Sequence, residues 1–333
     1  MITYSIIVPV FNRPNEVQDL LESLAVQTEK NFHLILVEDG STEKSDQIAE
    51  AFKDKIDIKY YFKENSGPGD SRNFGMSVAT GDYLIFFDSD CIIPRDYFAK
   101  VNKFLASNPL DCFGGPDAAD ESFSDVQKAI NYAMTSVITT GGVRGKENKL
   151  DTYQPRSFNM GITKEVYDKV GGYSNIHPGE DPDLSYRIME AGFKVGLIEE
   201  AFVYHKRRID FSKFTKQVHK FGVVRPILIK WYPQHFKLTY MFPSIFLLGS
   251  VGLIVLGIVL HWAFFLPFAF LTFILLTDAL IKTKNIKIAL MATIASYIQL
   301  YVYGFGFMKS YSRMHILKQD ENKVYSSYFF KLK

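Results

Sequence analysis

Three long apolar runs in the last third of the sequence constrain the fold most strongly. They cover Phe242–Leu260, Trp262–Ile281 and Ile288–Met308, and almost no charged residue interrupts them. Each is close to the roughly 20 residues with which a helix crosses the bilayer core. The alternative is a buried helical core in a soluble protein, but none of these runs has the polar face that a surface helix carries. The sequence therefore predicts two or three transmembrane helices within residues 238–310.

The charges between the runs bear on the orientation of these helices. Lys282, Lys284 and Lys287 separate the second run from the third. If the N-terminal domain is cytosolic, the first two runs form a hairpin that returns to the cytosol. The three lysines then lie on the cytosolic side, which positive charges beside membrane helices favour. The third run carries Ser296 and Gln299, and it either spans the bilayer or lies partly in its interface. The sequence leaves the number of crossings open.

The overall charge and the cysteines restrict the class of protein. Lys and Arg number 38 and Asp and Glu 36, so no general charge excess predicts a nucleic-acid partner. The only cysteines, Cys91 and Cys112, lack the spacing of a metal site, and we expect free thiols in a reducing compartment. Because a strand-like run begins at Ile2, we expect no cleaved signal peptide.

Before the apolar runs, short apolar strands alternate with helical stretches. The predicted strands are Ser5–Val10, Phe32–Val37, Ile58–Phe62 and Tyr83–Phe87, and the predicted helices are Pro14–Gln27, Ser45–Phe52 and Ser71–Ala79. This alternation predicts a parallel α/β sheet with helices on both faces, because the strands are apolar on both sides. Ligands of such sheets bind beyond the carboxyl ends of the strands.

Acidic residues follow two of these strands. Asp88 and Asp90 come directly after Tyr83–Phe87, and their side chains point the same way if the chain is extended. Two close carboxylates repel unless a proton or cation lies between them, and oxygen ligands of this kind suit Mg²⁺ or Mn²⁺. A solvated turn is the alternative. Asp39 either forms a turn that caps the next helix or accepts hydrogen bonds from a base or ribose.

A glycine-rich loop precedes the third helix. It reads SGPGDSRN over residues 66–73, and its glycines allow the backbone to approach a ligand while Arg72 pairs with a diphosphate. The alternative is an ordinary loop in which Asp70 or Ser71 caps the helix. The loop matches neither a dinucleotide fingerprint nor a P-loop, because Arg72 replaces the last glycine and no Gly-Lys-Ser/Thr sequence follows.

Five motifs occur in a fixed order over roughly residues 3–210: SIIVPVFNR, LVEDGS, SGPGDSRNFG, FFDSD and GEDPDLSYRI. The ordered set resembles the inverting family 2 glycosyltransferases, which have the GT-A fold, a Rossmann-like and mostly parallel sheet with helices on both faces. Within that family the chain is most similar to membrane-anchored enzymes of bacterial exopolysaccharide and cell-surface glycan assembly, of the succinoglycan type.

The resemblance implies a reaction and its partners. One sugar would move from a nucleotide-diphosphate sugar to a hydroxyl of a lipid-linked saccharide or glycolipid, with Mg²⁺ or Mn²⁺ as cofactor and no nucleic acid. The enzyme would lie in the bacterial inner (cytoplasmic) membrane with its catalytic domain facing the cytosol. Two rival hypotheses are a polyprenyl-phosphate glycosyl synthase, whose phosphate nucleophile needs no base, and a non-catalytic membrane scaffold.

The resemblance also implies roles for individual residues. The residues expected to bind the nucleotide are Pro9, Val10, Phe11, Asp39, Gly67, Arg72, Asp88 and Ser89. Asp90 would hold the metal; His205 would complete its shell, although a lone histidine is often structural. Asp181 would be the general base, and Glu180 would help to position the acceptor. Asn159 and Gly161 would also belong to the acceptor side of the site. A base on the acceptor side is what inversion by direct displacement needs, but residues 180–183 also suit the acidic start of a helix at Leu184–Ala191.

The remaining segments complete the expected domain organisation. Residues 1–210 form the catalytic domain, and residues 211–237, which mix lysines with large apolar residues, form an amphipathic segment on the membrane surface, with a solvated face as the alternative. Residues 311–333 form a basic tail. Processive synthases carry Q-x-x-R-W, but here Lys220 and Phe221 replace Arg-Trp in the stretch that begins at Gln217. We therefore expect transfer of one sugar and not polymerisation.

Overall fold

The computed structural model describes residues 2–118, 123–140, 153–205 and 210–330. These residues divide into two compact units. The first, the sheet unit, contains residues 2–118, 153–205 and 327–330. The second, the helical unit, contains residues 123–140 and 210–326.

Strands occur in the sheet unit, and longer helices dominate the helical unit. The strands are β1 Tyr4–Val10, β2 Phe32–Asp39, β3 Ile58–Lys63, β4 Tyr83–Phe87, β5 Cys91–Ile92, β6 Cys112–Gly114, β7 Asp117–Ala118, β8 Asn159–Thr163, β9 Val195–Leu197 and β10 Val203–His205. The helices are α1 Pro14–Ala25, α2 Asp46–Ala51, α3 Pro68–Ser77, α4 Tyr97–Ser107, α5 Asp125–Thr135, α6 Val137–Thr140, α7 Lys164–Val170, α8 Glu180–Glu190, α9 Phe211–Trp231, α10 Phe242–Val259, α11 Leu266–Thr283, α12 Ile286–Tyr311 and α13 Glu321–Val324.

The main sheet has seven strands in the order β3-β2-β1-β4-β8-β6-β9. Strands β1 to β4 pair in parallel, which confirms the predicted α/β fold. Strand β8 runs antiparallel to both of its neighbours, β4 and β6. A second sheet of three short strands has the order β5-β10-β7. The carboxyl end of β4 leads directly into β5, so Asp88 and Asp90 lie between the two sheets.

The core lies on both faces of the main sheet because successive strand residues point in opposite directions. In β4, Ile85 and Phe87 join the cluster that α1 covers, whereas Leu84 and Phe86 join the cluster on the other face. All four side chains are fully buried. Burial on both sides explains why these strands are continuous apolar runs in the sequence.

In the helical unit, α9 packs closely along α12. A Cβ on Gly222 would lie 2.4 Å from the carbonyl oxygen of Tyr303, and one on Gly306 would lie 2.8 Å from that of His219. Small residues let two helix backbones approach in this way. The apolar side of α9, including Phe214 and Val218, is buried in a cluster with residues of α5 and α12. The sequence instead predicts that this side of residues 211–237 meets the membrane surface.

Three helical stretches of this unit have the length and composition to cross a membrane. They are Leu238–Val259, Trp262–Thr283 and Ile286–Ile316. Mean hydropathy falls from 2.4 and 2.2 in the first two to 1.4 in the third. These stretches coincide with the three predicted apolar runs.

Two short segments belong to different units from those that the sequence predicts. Helix α5 lies within the predicted catalytic domain 1–210, but its Ala129 and Ala133 pack among the buried residues of α12. Residues 327–330 lie within the predicted tail, but they pair with the sheet unit through the bridge between Ile176 and Phe329. Each of these two placements depends on tertiary contacts between segments that are remote in sequence. Local sequence patterns do not encode such contacts.

Candidate active site

The small sheet brings two carboxylates and an imidazole together. His205 of β10 pairs with Cys91 of β5, the residue that follows Asp90. As a result, His205 Nε2 lies 3.2 Å from Asp90 Oδ1 and 3.8 Å from Asp88 Oδ2. The Asp90 and His205 side chains are each 16% exposed, so the cluster is partly desolvated. Oxygen and imidazole donors in this arrangement fit Mn²⁺ or Mg²⁺.

The surroundings of His205 hold its ring in place. The ring stacks on Phe158 with a centroid distance of 4.8 Å and an angle of 18°. On its other side, Nδ1 lies 4.0 Å from Asp117 Oδ2. This separation is longer than a hydrogen bond, so Asp117 acts on the imidazole through its negative charge. This arrangement leaves Nε2 on the side of Asp90.

The sulfur of Cys91 lies beside the same group, with ligand atoms of Asp90, Cys91 and His205 within 4.8 Å of one another. Burial raises the pKa of the Cys91 thiol well above its ordinary value, and the neighbouring Asp90 raises it further. The thiol donates a hydrogen bond to the carbonyl oxygen of Phe158 at 3.5 Å. A neutral thiol is a poor ligand for a hard cation, so the oxygen and nitrogen atoms are the candidate donors.

Arg72 joins the two acidic parts of the site. Its side chain is only 4% exposed, with Nη2 2.6 Å from Asp88 Oδ1 and Nη1 3.9 Å from Glu180 Oε1. Its guanidinium also lies over the ring of Tyr173, 5.4 Å from the centroid. Burial alone would lower the pKa of Arg72, but Asp88 and the other acids raise it above its ordinary value. The site therefore contains a permanent cation beside Asp88.

Glu180 and Asp181 begin helix α8, where the helix dipole favours acidic residues. His177 Nδ1 lies 2.8 Å from Glu180 Oε1. Burial would raise the pKa of Glu180, but His177 and Arg72 lower it below the ordinary value. For Asp181, burial and the charge of Glu180 raise the pKa to about 6. The pair thus combines an ionised carboxylate with one that titrates near neutrality.

The two oxygens of Asp181 have different surroundings. Ser157 forms a side-chain hydrogen bond to the carboxylate. Asp181 Oδ1 is buried and accepts no hydrogen bond from the part of the chain that the structure describes. An acceptor oxygen of this kind, on a group that titrates near neutrality, suits proton abstraction from a hydroxyl.

Asp39 holds the glycine-rich loop. Its carboxylate accepts hydrogen bonds from the backbone N–H groups of Ser66 at 3.0 Å and Gly67 at 2.9 Å. Lys63 Nζ lies 2.6 Å from Asp39 Oδ1. Gly67 has a φ of +96°, which L side chains rarely adopt, and this conformation turns the chain into helix α3. Asp39 therefore fixes the loop that delivers Arg72.

Comparisons with known proteins identify the family of the chain. Residues 5–171, about half of the chain, match the family described as Glycosyl transferase family 2. The chain belongs to this family. An uncharacterized glycosyltransferase of Haemophilus influenzae is 31% identical over 229 residues, covering 65% of this chain and 73% of the relative. Glycosyltransferase GlyG of Streptococcus pneumoniae is 36% identical over 215 residues, covering 61% and 70%.

Other relatives of this family 2 chain are much longer. The match to an uncharacterized glycosyltransferase of Rickettsia felis is 38% identical over 104 residues, 31% of this chain but 17% of the relative. Among solved structures, the mannosyltransferase PcManGT from Pyrobaculum calidifontis has a TM-score of 0.65 at 14% identity, over 92% of this chain and 87% of that one. S. aureus TarS 1-349 has a TM-score of 0.51 at 17% identity, over 93% and 92%. These likenesses show the GT-A-like fold.

Several residues predicted for the nucleotide lie at the end of β1 and after β4. Phe11 is 50% exposed, whereas Val10 is 1% exposed and its side chain belongs to the core. Pro9 is half-buried, and Ser89 is buried between Asp88 and Asp90. The roles of these residues toward a nucleotide stay predictions.

The residues predicted for the acceptor lie inside the sheet. Asn159 is fully buried, accepts a hydrogen bond from the Tyr97 hydroxyl at 2.6 Å and donates one to the carbonyl oxygen of Ala201 at 2.7 Å. A Cβ on Gly161 would lie 2.4 Å from the ring of Phe113. Both residues therefore contribute to packing around β8, and their assignment to the acceptor stays a prediction.

Several residues of the site were not predicted from the sequence. Among them are Arg13, whose Nη1 lies 3.8 Å from Asp90 Oδ2, together with Asp117, Ser157 and His177. Arg13 and His177 could have been found, because each lies within or just before one of the family 2 motifs. Asp117 and Ser157 reach the site only through the pairing of remote strands and loops, for which the sequence offers no local signal.

Proposed function

We propose that this family 2 protein is a membrane-associated inverting glycosyltransferase that moves one sugar from a nucleotide-diphosphate sugar to a hydroxyl acceptor. The observation that carries the proposal is the position of Arg72 between two acidic groups. Arg72 contacts Asp88, which together with Asp90 and His205 forms the candidate metal cluster. It also approaches Glu180, which is next to Asp181, the residue whose pKa is raised. One site thus places a cation that suits a leaving diphosphate near a base that suits an incoming hydroxyl.

The donor side is supported by the charges of the candidate metal cluster. Asp90 and His205 would hold Mg²⁺ or Mn²⁺, and the bound ion would neutralise charge on the diphosphate. Arg72 offers a second cation that stays charged at any physiological pH. PcManGT was solved with GDP-Man and Mn²⁺, and TarS 1-349 with UDP-GlcNAc, which supports a nucleotide sugar as the donor here.

On the acceptor side, Asp181 would act as the base. Its Oδ1 would take the proton of the acceptor hydroxyl as the oxygen attacks the anomeric carbon from the face opposite the diphosphate. The leaving group departs as a nucleoside diphosphate, and the configuration of that carbon inverts. Glu180 stays ionised through His177 and Arg72, and its negative charge keeps Asp181 basic.

The acceptor and the location follow from the helical unit and from one relative. The three apolar stretches support a position in the bacterial cytoplasmic membrane, with the sheet unit on the cytosolic side where nucleotide sugars are made. The minor teichoic acid biosynthesis protein GgaB of Bacillus subtilis is 28% identical over 216 residues, 23% of its own length. The apolar stretches and the match to GgaB both support a lipid-linked saccharide or glycolipid acceptor in cell-surface glycan assembly, as in succinoglycan-type enzymes.

The function is tested with the full chain purified in detergent and a donor panel of UDP-, GDP- and dTDP-sugars with Mg²⁺ or Mn²⁺. Released nucleoside diphosphate and transfer to a membrane-lipid extract are measured. We expect one donor to be turned over and Asp181→Asn to reduce transfer about 10²- to 10⁴-fold, the usual contribution of a general base, while donor binding persists. Asp168→Asn, an exposed residue paired with Lys164, is the matched control.

Two outcomes would count against the proposal. Substantial transfer by Asp181→Asn would remove Asp181 as the base. Transfer to polyprenyl phosphate alone, with no hydroxyl acceptor used, would identify a phosphate nucleophile, which is already ionised and needs no base.

A further inference from the structure

Residues 328–330 form a short strap along residues 175–177 of the sheet unit. The Phe330 N–H donates to the carbonyl oxygen of Asn175 at 2.9 Å, and the His177 N–H donates to that of Tyr328 at 2.7 Å. Between these bonds, Ile176 and Phe329 form an antiparallel bridge. The strap therefore fixes the backbone of residues 175–177, which lie two residues before the start of helix α8 at Glu180.

The side chains reinforce this contact. Asn175 Nδ2 donates to the carbonyl oxygen of Phe330 at 3.2 Å. The Phe330 ring lies 6.0 Å from the His177 ring and covers Gly67, where an added Cβ would come within 2.7 Å of it. Phe330 thus lies against both the loop that leads to Glu180 and the loop that leads to Arg72. These contacts fit an ordered element better than a basic tail in solvent.

A chain of contacts connects the strap to the candidate active site. The Tyr328 carbonyl holds the His177 backbone, and the His177 ring lies 2.8 Å from Glu180 Oε1. Glu180 Oε1 in turn lies 3.9 Å from Arg72 Nη1. Because Glu180 is buried, a displaced His177 would leave a desolvated carboxylate beside Asp181 without its nearest partner.

We propose that the strap, residues 328–330, is a positioning element for glycosyl transfer, which acts through His177 to orient Glu180 and through Gly67 to hold the Arg72 loop. This inference rests on the proposed function. The strap itself touches none of the reacting groups. It sets the position of side chains that do, in the way that supporting contacts hold a functional site in its productive geometry.

The first test measures whether the strap holds the loop and needs no substrate. Hydrogen exchange of residues 174–178 is compared in the full chain and in its Phe330→Ala, Phe330→Leu and Ser327→Ala variants. We expect faster exchange in Phe330→Ala, an intermediate rate in Phe330→Leu and no change in Ser327→Ala, whose side chain is exposed before the strap. Unchanged exchange in Phe330→Ala would overturn the proposal.

The second test is a double-mutant cycle on kcat, with the donor that the panel identifies. We expect Phe330→Ala and His177→Ala each to reduce kcat about 10- to 100-fold, since small misplacements of a reacting group have effects of this size. If the strap acts through His177, the double variant loses little more than the worse single variant. Phe330→Leu should recover part of the activity.

The outcomes separate the two proposals. Fully multiplicative losses in the double variant, or unchanged kcat with faster exchange, would reduce the strap to a packing element while glycosyl transfer by the full chain stands. Absence of transfer by the full chain with every donor would overturn the proposed function, and the positioning role with it. Melting temperatures of the variants identify any loss that comes from unfolding.

Discussion

At the scale of residues, two adjacent carboxylates of the site have different pKa values because their environments differ. Glu180 has His177 and Arg72 as partners, which lower its pKa, whereas Asp181 is raised to about 6 by burial and by the charge of Glu180. Neighbouring groups whose environments push their pKa values apart are a common mark of acid–base assignments. This difference favours Asp181 over Glu180 as the base.

The pKa of Asp181 predicts a pH dependence. The base must be deprotonated, so kcat should rise as the pH increases through about 6 and then reach a plateau. In Glu180→Gln the neighbouring negative charge is lost, the pKa of Asp181 falls, and the rising limb of the profile should move to lower pH. Steady-state rates from pH 5 to 8 measure this shift, with Asp168→Asn as the control. A Glu180→Gln profile that moves to higher pH would contradict this electrostatic explanation.

The candidate metal cluster makes a second prediction at this scale. Asp90→Asn and His205→Ala should each weaken Mn²⁺ binding, since each removes a proposed ligand. Asp117→Asn should weaken it less, because it removes only a negative charge 4.0 Å from His205 Nδ1. Titration calorimetry with MnCl₂ measures the affinities, and Asp96→Asn, exposed and paired with Lys100, is the matched control. Equal affinity in Asp90→Asn and the control would exclude this cluster as the metal site.

At the scale of elements, the four parallel strands β1 to β4 were predictable, whereas the short strands β6 and β9 and the small sheet were not. Strand β4 has the predicted bounds Tyr83–Phe87, because a fully buried strand is a continuous apolar run. Strands β5, β7 and β10 have two or three residues each, too few for a periodic pattern. Their pairing brings His205 to Asp90 and Asp117 to His205. The sequence therefore identified candidate ligands, while their arrangement required tertiary structure.

The close contact of α9 with α12 predicts unequal effects of glycine substitutions. Gly222→Val should destabilise the helical unit by about 1–3 kcal/mol, since its Cβ would overlap the backbone of α12. Gly249→Val is the matched control, because a Cβ there meets nothing within 4 Å. Thermal unfolding in detergent should show a lower Tm for Gly222→Val alone. Equal Tm values for the two variants would mean that α9 and α12 do not pack this closely.

At the scale of the whole molecule, the strap restricts the membrane topology that the sequence left open. Residues 328–330 pair with residues 175–177, so both lie on the same side of any bilayer. The chain between residues 210 and 326 must therefore cross an even number of times. Within an apolar 18-residue segment of each stretch, 44% of the residues are buried against protein in Ile286–Ile316, compared with 17% and 11% in the other two. This difference favours α10 and α11 as the crossing pair.

The predicted topology is thus a hairpin of α10 and α11, with α12 packed against protein and not crossing completely. Cysteines introduced at Lys237 and Lys318 should react with a membrane-impermeant maleimide from the same side, and one at Trp262 from the opposite side. Cys91 and Cys112 are buried and give little background. Labelling of Lys237→Cys and Lys318→Cys from opposite sides would require an odd number of crossings, which is incompatible with the strap pairing to residues 175–177.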